Sequence, residues 1–128
     1  MQIQTKVSYL SDLKFNLETW KRELRFHFSE MDSFEEKLEE IASREYDKRA
    51  MQQIENFQNR IEIERNEISK LMHRCKNKMN ALIAVDYNES IDGSLLHKQK
   101  PLKEDMRQYI KLHYDLKEEM MGFFSQWL

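Results

Sequence analysis

The sequence predicts an all-α fold, an elongated antiparallel three-helix bundle with a long coiled-coil-like helical hairpin, formed as one helical domain over residues 1–128. Three observations predict it. Only 2 Gly and 1 Pro occur in 128 residues, against an ordinary combined share of about 12%. Sandwiches, barrels and dinucleotide folds with Gly-rich loops need more tight turns than that supply allows. Charged residues make up 34% and apolar residues 40%, the balance of long amphipathic helices. Apolar side chains recur in a 3,4 alternation along three separate segments.

The first helix is expected from about residue 6 to about 43. Leu10, Leu13, Leu17, Trp20, Leu24, His27, Met31, Phe34, Leu38 and Ile41 form an unbroken a/d seam. Every slot is apolar except His27, and no Gly or Pro interrupts it. At 1.5 Å per residue the helix would be roughly 55 Å long.

The second helix is expected from about 47 to about 87. Ala50, Ile54, Phe57, Ile61, Glu64, Ile68, Leu71 and Cys75 continue the alternation, with Glu64 as the polar entry. The register then slips by one residue. Met72, Met79, Leu82 and Ile83 carry the stripe and Lys78 drops out, as at a stutter in a coiled coil. The stretch from Ala42 to Tyr46 holds no strong breaker, so one continuous helix of about 80 residues is the alternative to a hairpin. Ser43 as a cap favours the hairpin.

The third helix is expected from about 101 to about 126. The connection before it, Asp86 to Lys100, contains Asn88, Asp92-Gly93 and Ser94, and Asp-Gly is a turn signal. Pro101 suits the first turn of the new helix. Leu102, Met106, Tyr109, His113, Leu116, Met120, Phe123 and Trp127 form its seam, with His113 the strongly polar slot.

The three polar seam residues fall at comparable heights. A hairpin turning near residue 45 sets residue 27 opposite residue 64. Centring the second connection between residues 88 and 93 sets Glu64 opposite residues 112 to 122, a range with His113 at its edge. His27, Glu64 and His113 are therefore expected in one buried layer. The plainer reading is a hydrogen-bonded His–Glu layer that fixes helix register. The sharper reading is a transition-metal site, since His and carboxylate ligands suit Zn, Fe, Mn or Ni, or a pH-responsive cluster. Diiron bundles use Glu-x-x-His on two helices. That motif is missing here, and Glu23 with His27 at i,i+4 is a spacing common by chance.

Function classes narrow by composition. A net charge of -2 without a basic stripe gives no expectation of nucleic-acid binding. The longest apolar run, Ala81 to Val85, is far short of the ~20 residues of a membrane span. The N-terminal stretch lacks the apolar core of a secretory signal. With the single cysteine, Cys75, this sets the expectation of a cytoplasmic protein. Hydrolase, P-loop, dinucleotide and Cys-x-x-Cys motifs do not occur. Cys75 falls on the seam as a small buried side chain, and His73, two residues away, faces elsewhere. No catalytic residues and no enzymatic activity are expected, and the metal ion of the sharper reading is the one cofactor considered.

Phe15 and Phe26 lie off the first seam, toward the outer face. Phe28, Ile63, Ile110 and Met121 are also off the strict seams, where some widen the buried stripe. The C-terminal run from Met120 to Leu128 is dense in apolar groups but lacks the basic face of a membrane-surface helix. Phe15, Phe26, Phe124 and Trp127 are the expected interface anchors. Against this stands scattered exposure, or cover by the third helix. The expected function is a non-enzymatic protein–protein interaction or scaffolding module that self-associates as a homodimer. The alternative is a metal-binding or pH-responsive bundle built on His27, Glu64 and His113.

Overall fold

The computed structural model describes the backbone of residues 2–44, 47–84 and 93–128, and the side chains of 10–44, 47–84 and 98–128. Three α-helices account for it: α1 (Gln2–Arg44), α2 (Lys48–Ile83) and α3 (Gly93–Trp127). No strand occurs among the described residues.

The core is the set of seams. The Leu10–Leu24 part of α1 packs with Ile68–Leu82 of α2 and Leu102–Tyr109 of α3. The Met31–Ile41 part packs with Ile54–Ile61 and Leu116–Phe124. Helix α2 therefore runs antiparallel to both neighbours, while α1 and α3 run parallel. Each seam hides its apolar stripe because the other two helices supply the cover. The buried side chains are mostly Leu, Ile and Met, and Leu17, Leu24, Leu38 and Ile61 are fully enclosed.

The chain breaks between α1 and α2, so the continuous helix is excluded. Asp47 is extended, at φ -67 and ψ 127, and its carboxylate accepts the Arg49 N–H at 2.7 Å. This caps α2 by satisfying an amide that has no helical acceptor. The Arg49 N–H also holds the Asp47 carboxyl below its ordinary range. Ser43 is not the cap. It lies in the last turn of α1, and its hydroxyl donates back to the Glu40 carbonyl at 2.7 Å, a bond open to any helical serine. Tyr46 lies outside the described residues.

Helix α2 ends at Ile83, short of residue 87, with the Ala84 N–H donating to the Asn80 carbonyl at 3.2 Å. The register slip is present. Met72 and Met79 pack against the core and Leu82 is buried, while Lys78 turns to the Lys98 carbonyl at 3.2 Å. Ile83 departs from the expected stripe and is 65% exposed. Asn88 and Asp92 lie outside the described residues.

Helix α3 begins at Gly93, well before residue 101. Pro101 is thus inside the helix and not at its first turn. Proline's fixed φ is helical, and its cost is one backbone hydrogen bond and a crowded carbonyl four residues back. Pro101 lies on the exposed side of α3, where water offsets that loss. The extra turns carry Gln99, a buried amide that donates to the Leu13 carbonyl at 3.4 Å. No helix among the described residues is long and apolar enough to cross a membrane.

Candidate functional site

Between the two apolar clusters lies one polar layer. Helix α1 supplies Glu23, His27 and Glu30, α2 supplies Glu64, and α3 supplies Tyr109, His113 and Lys117. The spacings of three and four residues put each set on one helix face. His27, Glu64 and His113 are all buried, and the structure brings them into one layer.

The two imidazoles stack, with centroids 3.6 Å apart and planes 11° from parallel. His27 Nδ1 lies 2.7 Å from the Tyr109 hydroxyl, and its Nε2 lies 3.6 Å from Glu23 Oε1. His113 Nδ1 is 3.1 Å from Glu64 Oε1, and its Nε2 is 3.3 Å from Glu30 Oε1. Lys117 Nζ donates to Glu30 Oε2 at 2.7 Å. Glu64 meets His27 only through His113.

Burial, and then the positive field of His113, push His27 down from 6.5 to about 4. His27 is therefore neutral near pH 7. The tautomer that fits both its contacts carries the proton on Nε2, toward Glu23, and accepts the Tyr109 O–H at Nδ1. Burial, reinforced by the Glu64 carboxylate, raises the Tyr109 phenol well above its usual range, so that proton stays in place. His113 has a carboxylate at each ring nitrogen. Nδ1 is hydrogen-bonded to Glu64, while Nε2 and Glu30 Oε1 lie close together without a hydrogen bond. Glu64 Oε2 is buried without a hydrogen-bond partner.

This geometry gives no support to the metal reading of His27, Glu64 and His113. Imidazole lone pairs lie in the ring plane, so two stacked parallel rings cannot aim both at one ion. Their Nδ1 atoms also face separate partners, Tyr109 and Glu64. Among the described residues no group of three or more His, Cys, Asp or Glu is arranged to hold a metal ion. What the layer can do chemically is hold one neutral imidazole and one flanked by carboxylates away from water.

Sequence reasoning missed Glu30, Tyr109 and Lys117 as members. Tyr109 counted as an apolar seam residue, yet its hydroxyl reaches His27. The signals were Glu30 at i+3 from His27 and Lys117 at i+4 from His113.

The expected interface residues divide. Phe15 and Phe26 are each 62% exposed. Phe124 is buried and Trp127 packs against the same cluster, with Phe34 and Phe123 as ring neighbours. Helix α3 runs alongside α1 to the end of the bundle, so its terminal aromatics turn inward. Phe124 is a core residue and Trp127 is half-buried against the same cluster, so neither stands out as a surface anchor.

A groove of about 360 Å³ runs between α2 and α3. Ile63 and Leu112, 68% and 66% exposed, stand at its rim, with Glu64, Tyr109 and Leu116 among its lining. Ion pairs bridge its sides, Arg60 to Glu119 and Arg74 to Asp105. Across the α1–α2 face, Arg65 joins Asp32 and Glu35 and lies over the Phe28 ring at 5.6 Å.

Cys75 is buried, and burial pushes its thiol up to about 11. His73 is exposed, so the two do not form a nucleophile–base pair. The His97 side chain lies outside the described residues. Comparison of the chain with protein-family models, with curated proteins and with solved structures gives no match.

Proposed function

We propose that this chain is a non-enzymatic helical-bundle module for protein–protein interaction or scaffolding, and that it self-associates, with a homodimer as the smallest assembly. The observation that carries this reading is the exposure of large apolar side chains away from the core. Phe15 and Phe26 stand on the outer face of α1, and Ile63 and Leu112 on the rim of the α2–α3 groove. Covering one such side chain is worth about 1.5–3 kcal/mol, so a surface with several of them gains by association. The buried thiol and the lack of a membrane-length helix among the described residues are compatible with a cytoplasmic setting.

The test is solution mass by size exclusion with light scattering over a concentration series. The expected result is a mass above that of the 15.7 kDa chain, lowered by Phe26→Glu with helical content unchanged. A chain that stays monomeric throughout, or a Phe26→Glu variant with unaltered mass, removes the proposal.

The second reading is a pH-responsive bundle. The stacked His27–His113 pair favours it, because protonating His27 would place a cation in the buried core against the face of a second imidazole. It requires a stability change between about pH 5 and 8 that disappears with His27.

A further inference from the structure

We infer that the α2–α3 groove receives the outer face of α1 from a second copy of the chain, in a head-to-tail contact. The inference rests on the self-association reading and names the two surfaces that meet. Three helices packed in a triangle leave grooves, and a fourth helix seats in such a groove as in a four-helix bundle. Here the groove offers apolar contact at Ile63, Leu112 and Leu116. Its α3 wall runs from Asp105 to Leu116, a rise of about 16 Å.

The outer face of α1 fits this in length, shape and charge. Phe15, Arg22 and Phe26 are spaced seven and four residues apart, which puts them on one stripe opposite the core seam. Phe15 and Phe26 are about 16 Å apart along the helix, matching the groove wall. Lys21, Arg22 and Arg25 cluster with Glu18 on the stretch of α1 between the two phenylalanines. The groove lining carries Arg60 with Glu64, Glu67 and Asp105; Asp105 is held by Arg74 and Glu64 by His113, which leaves Glu67 as the carboxylate open to a partner. Glu67 and Arg25 have no ion-pair partner among the described residues, and Glu64 Oε2 lacks a donor. An aromatic helix face carrying the unpaired Arg25 meets an apolar groove carrying the unpaired Glu67.

The two surfaces point in opposite directions, since a groove between two helices of a triangle faces away from the third. One contact therefore leaves a free α1 face at one end and a free groove at the other. Such a heterologous contact repeats, giving assemblies that grow with concentration.

The experiment is light scattering on the full chain, on Phe26→Glu, on Leu112→Gln, and on an equal mixture of the two variants. Both substituted side chains are mostly exposed, and circular dichroism confirms that each variant is folded. Phe15→Glu and Ile63→Gln serve as second members of each class. Wild type is expected to pass beyond twice the monomer mass as concentration rises. Each variant alone is expected at monomer mass. The mixture is expected at twice the monomer mass with no further growth, because the intact α1 of Leu112→Gln seats in the intact groove of Phe26→Glu. Leu112→Gln with wild-type mass, a mixture that stays monomeric, or a wild type that stops at the dimer would each overturn the head-to-tail contact and leave self-association standing. A wild type that is monomeric at every concentration removes both.

Discussion

His27 and His113 lie ring on ring, 3.6 Å apart, in the middle of the bundle. Only one of them has carboxylates at both nitrogens. His27 shares its surroundings with Glu23 and Glu30 of α1, Glu64 of α2, and Tyr109, His113 and Lys117 of α3, and it stays neutral.

That asymmetry sets an acid response. The folded value of His27, about 4, is below the ordinary 6.5. Its contribution is complete above about pH 6.5 and is lost as pH falls toward 4, where the unfolded chain binds the extra proton more readily. The full loss is about 3 kcal/mol, at about 1.4 kcal/mol for each tenfold difference in proton affinity between the folded and unfolded chain. Urea midpoints measured from pH 7.5 to 4.5 are expected to fall steeply in wild type and less steeply in His27→Gln. Equal slopes would count against the assignment.

Removing one member of the Glu64–His113 pair strands the other. Glu64→Ala is expected to cost about 3 kcal/mol, because the His113 Nδ1 is left buried without its acceptor. Glu64→Leu combined with His113→Leu is expected to cost much less than the two single changes together. Chemical denaturation of the four proteins measures the coupling, and simple additivity would refute it.

Two phenylalanines test the division between core and surface. Phe124→Ala is expected to lose about 3 kcal/mol of stability, as large core truncations do. Phe26→Ala is expected within about 0.5 kcal/mol of wild type but with a lower solution mass. Thermal melts at low protein concentration separate the effects, and a large loss at Phe26 would place it in the core.

Cys75 provides an internal probe. With its thiol raised to about 11, about one molecule in a thousand carries the thiolate at pH 8. A disulfide reagent is expected to react slowly with the native chain and rapidly in denaturant. Fast native reaction would mean that the seam around Leu71 and Cys75 opens readily.

Most of the fold was legible because helical periodicity is a local signal. The α1 seam from Leu10 to Ile41 is buried almost slot by slot, since a 3,4 alternation has one apolar side to hide. The layer of His27, Glu64 and His113 was legible from turn positions alone, because antiparallel helices advance by equal rises. Boundaries were less so. Ser43 and Asp47 are both capping residue types, and only backbone direction separates them. Pro101 signals a helix start by propensity, yet the turns before it are helical and bring Gln99 to Leu13. Phe124 and Trp127 were misplaced because the C-terminal run is apolar on several sides at once. Ring orientation, on which the metal reading depends, is not encoded in spacing.

The polar layer splits the apolar core in two, and each half sits beside one interhelix connection. The Met31–Ile41 half adjoins the α1–α2 connection and the Leu10–Leu24 half adjoins the α2–α3 connection. Each half draws on all three helices, as does the layer between them. A helix that slides one heptad still sets apolar against apolar along most of its seam but puts His27 and Glu64 against hydrocarbon. The layer thus penalises misaligned helix registers that the apolar halves alone would tolerate. Native-state hydrogen exchange is expected to show two protected blocks of amides whose opening is separately tunable, with slipped forms populated once the histidines and glutamate are replaced by leucine.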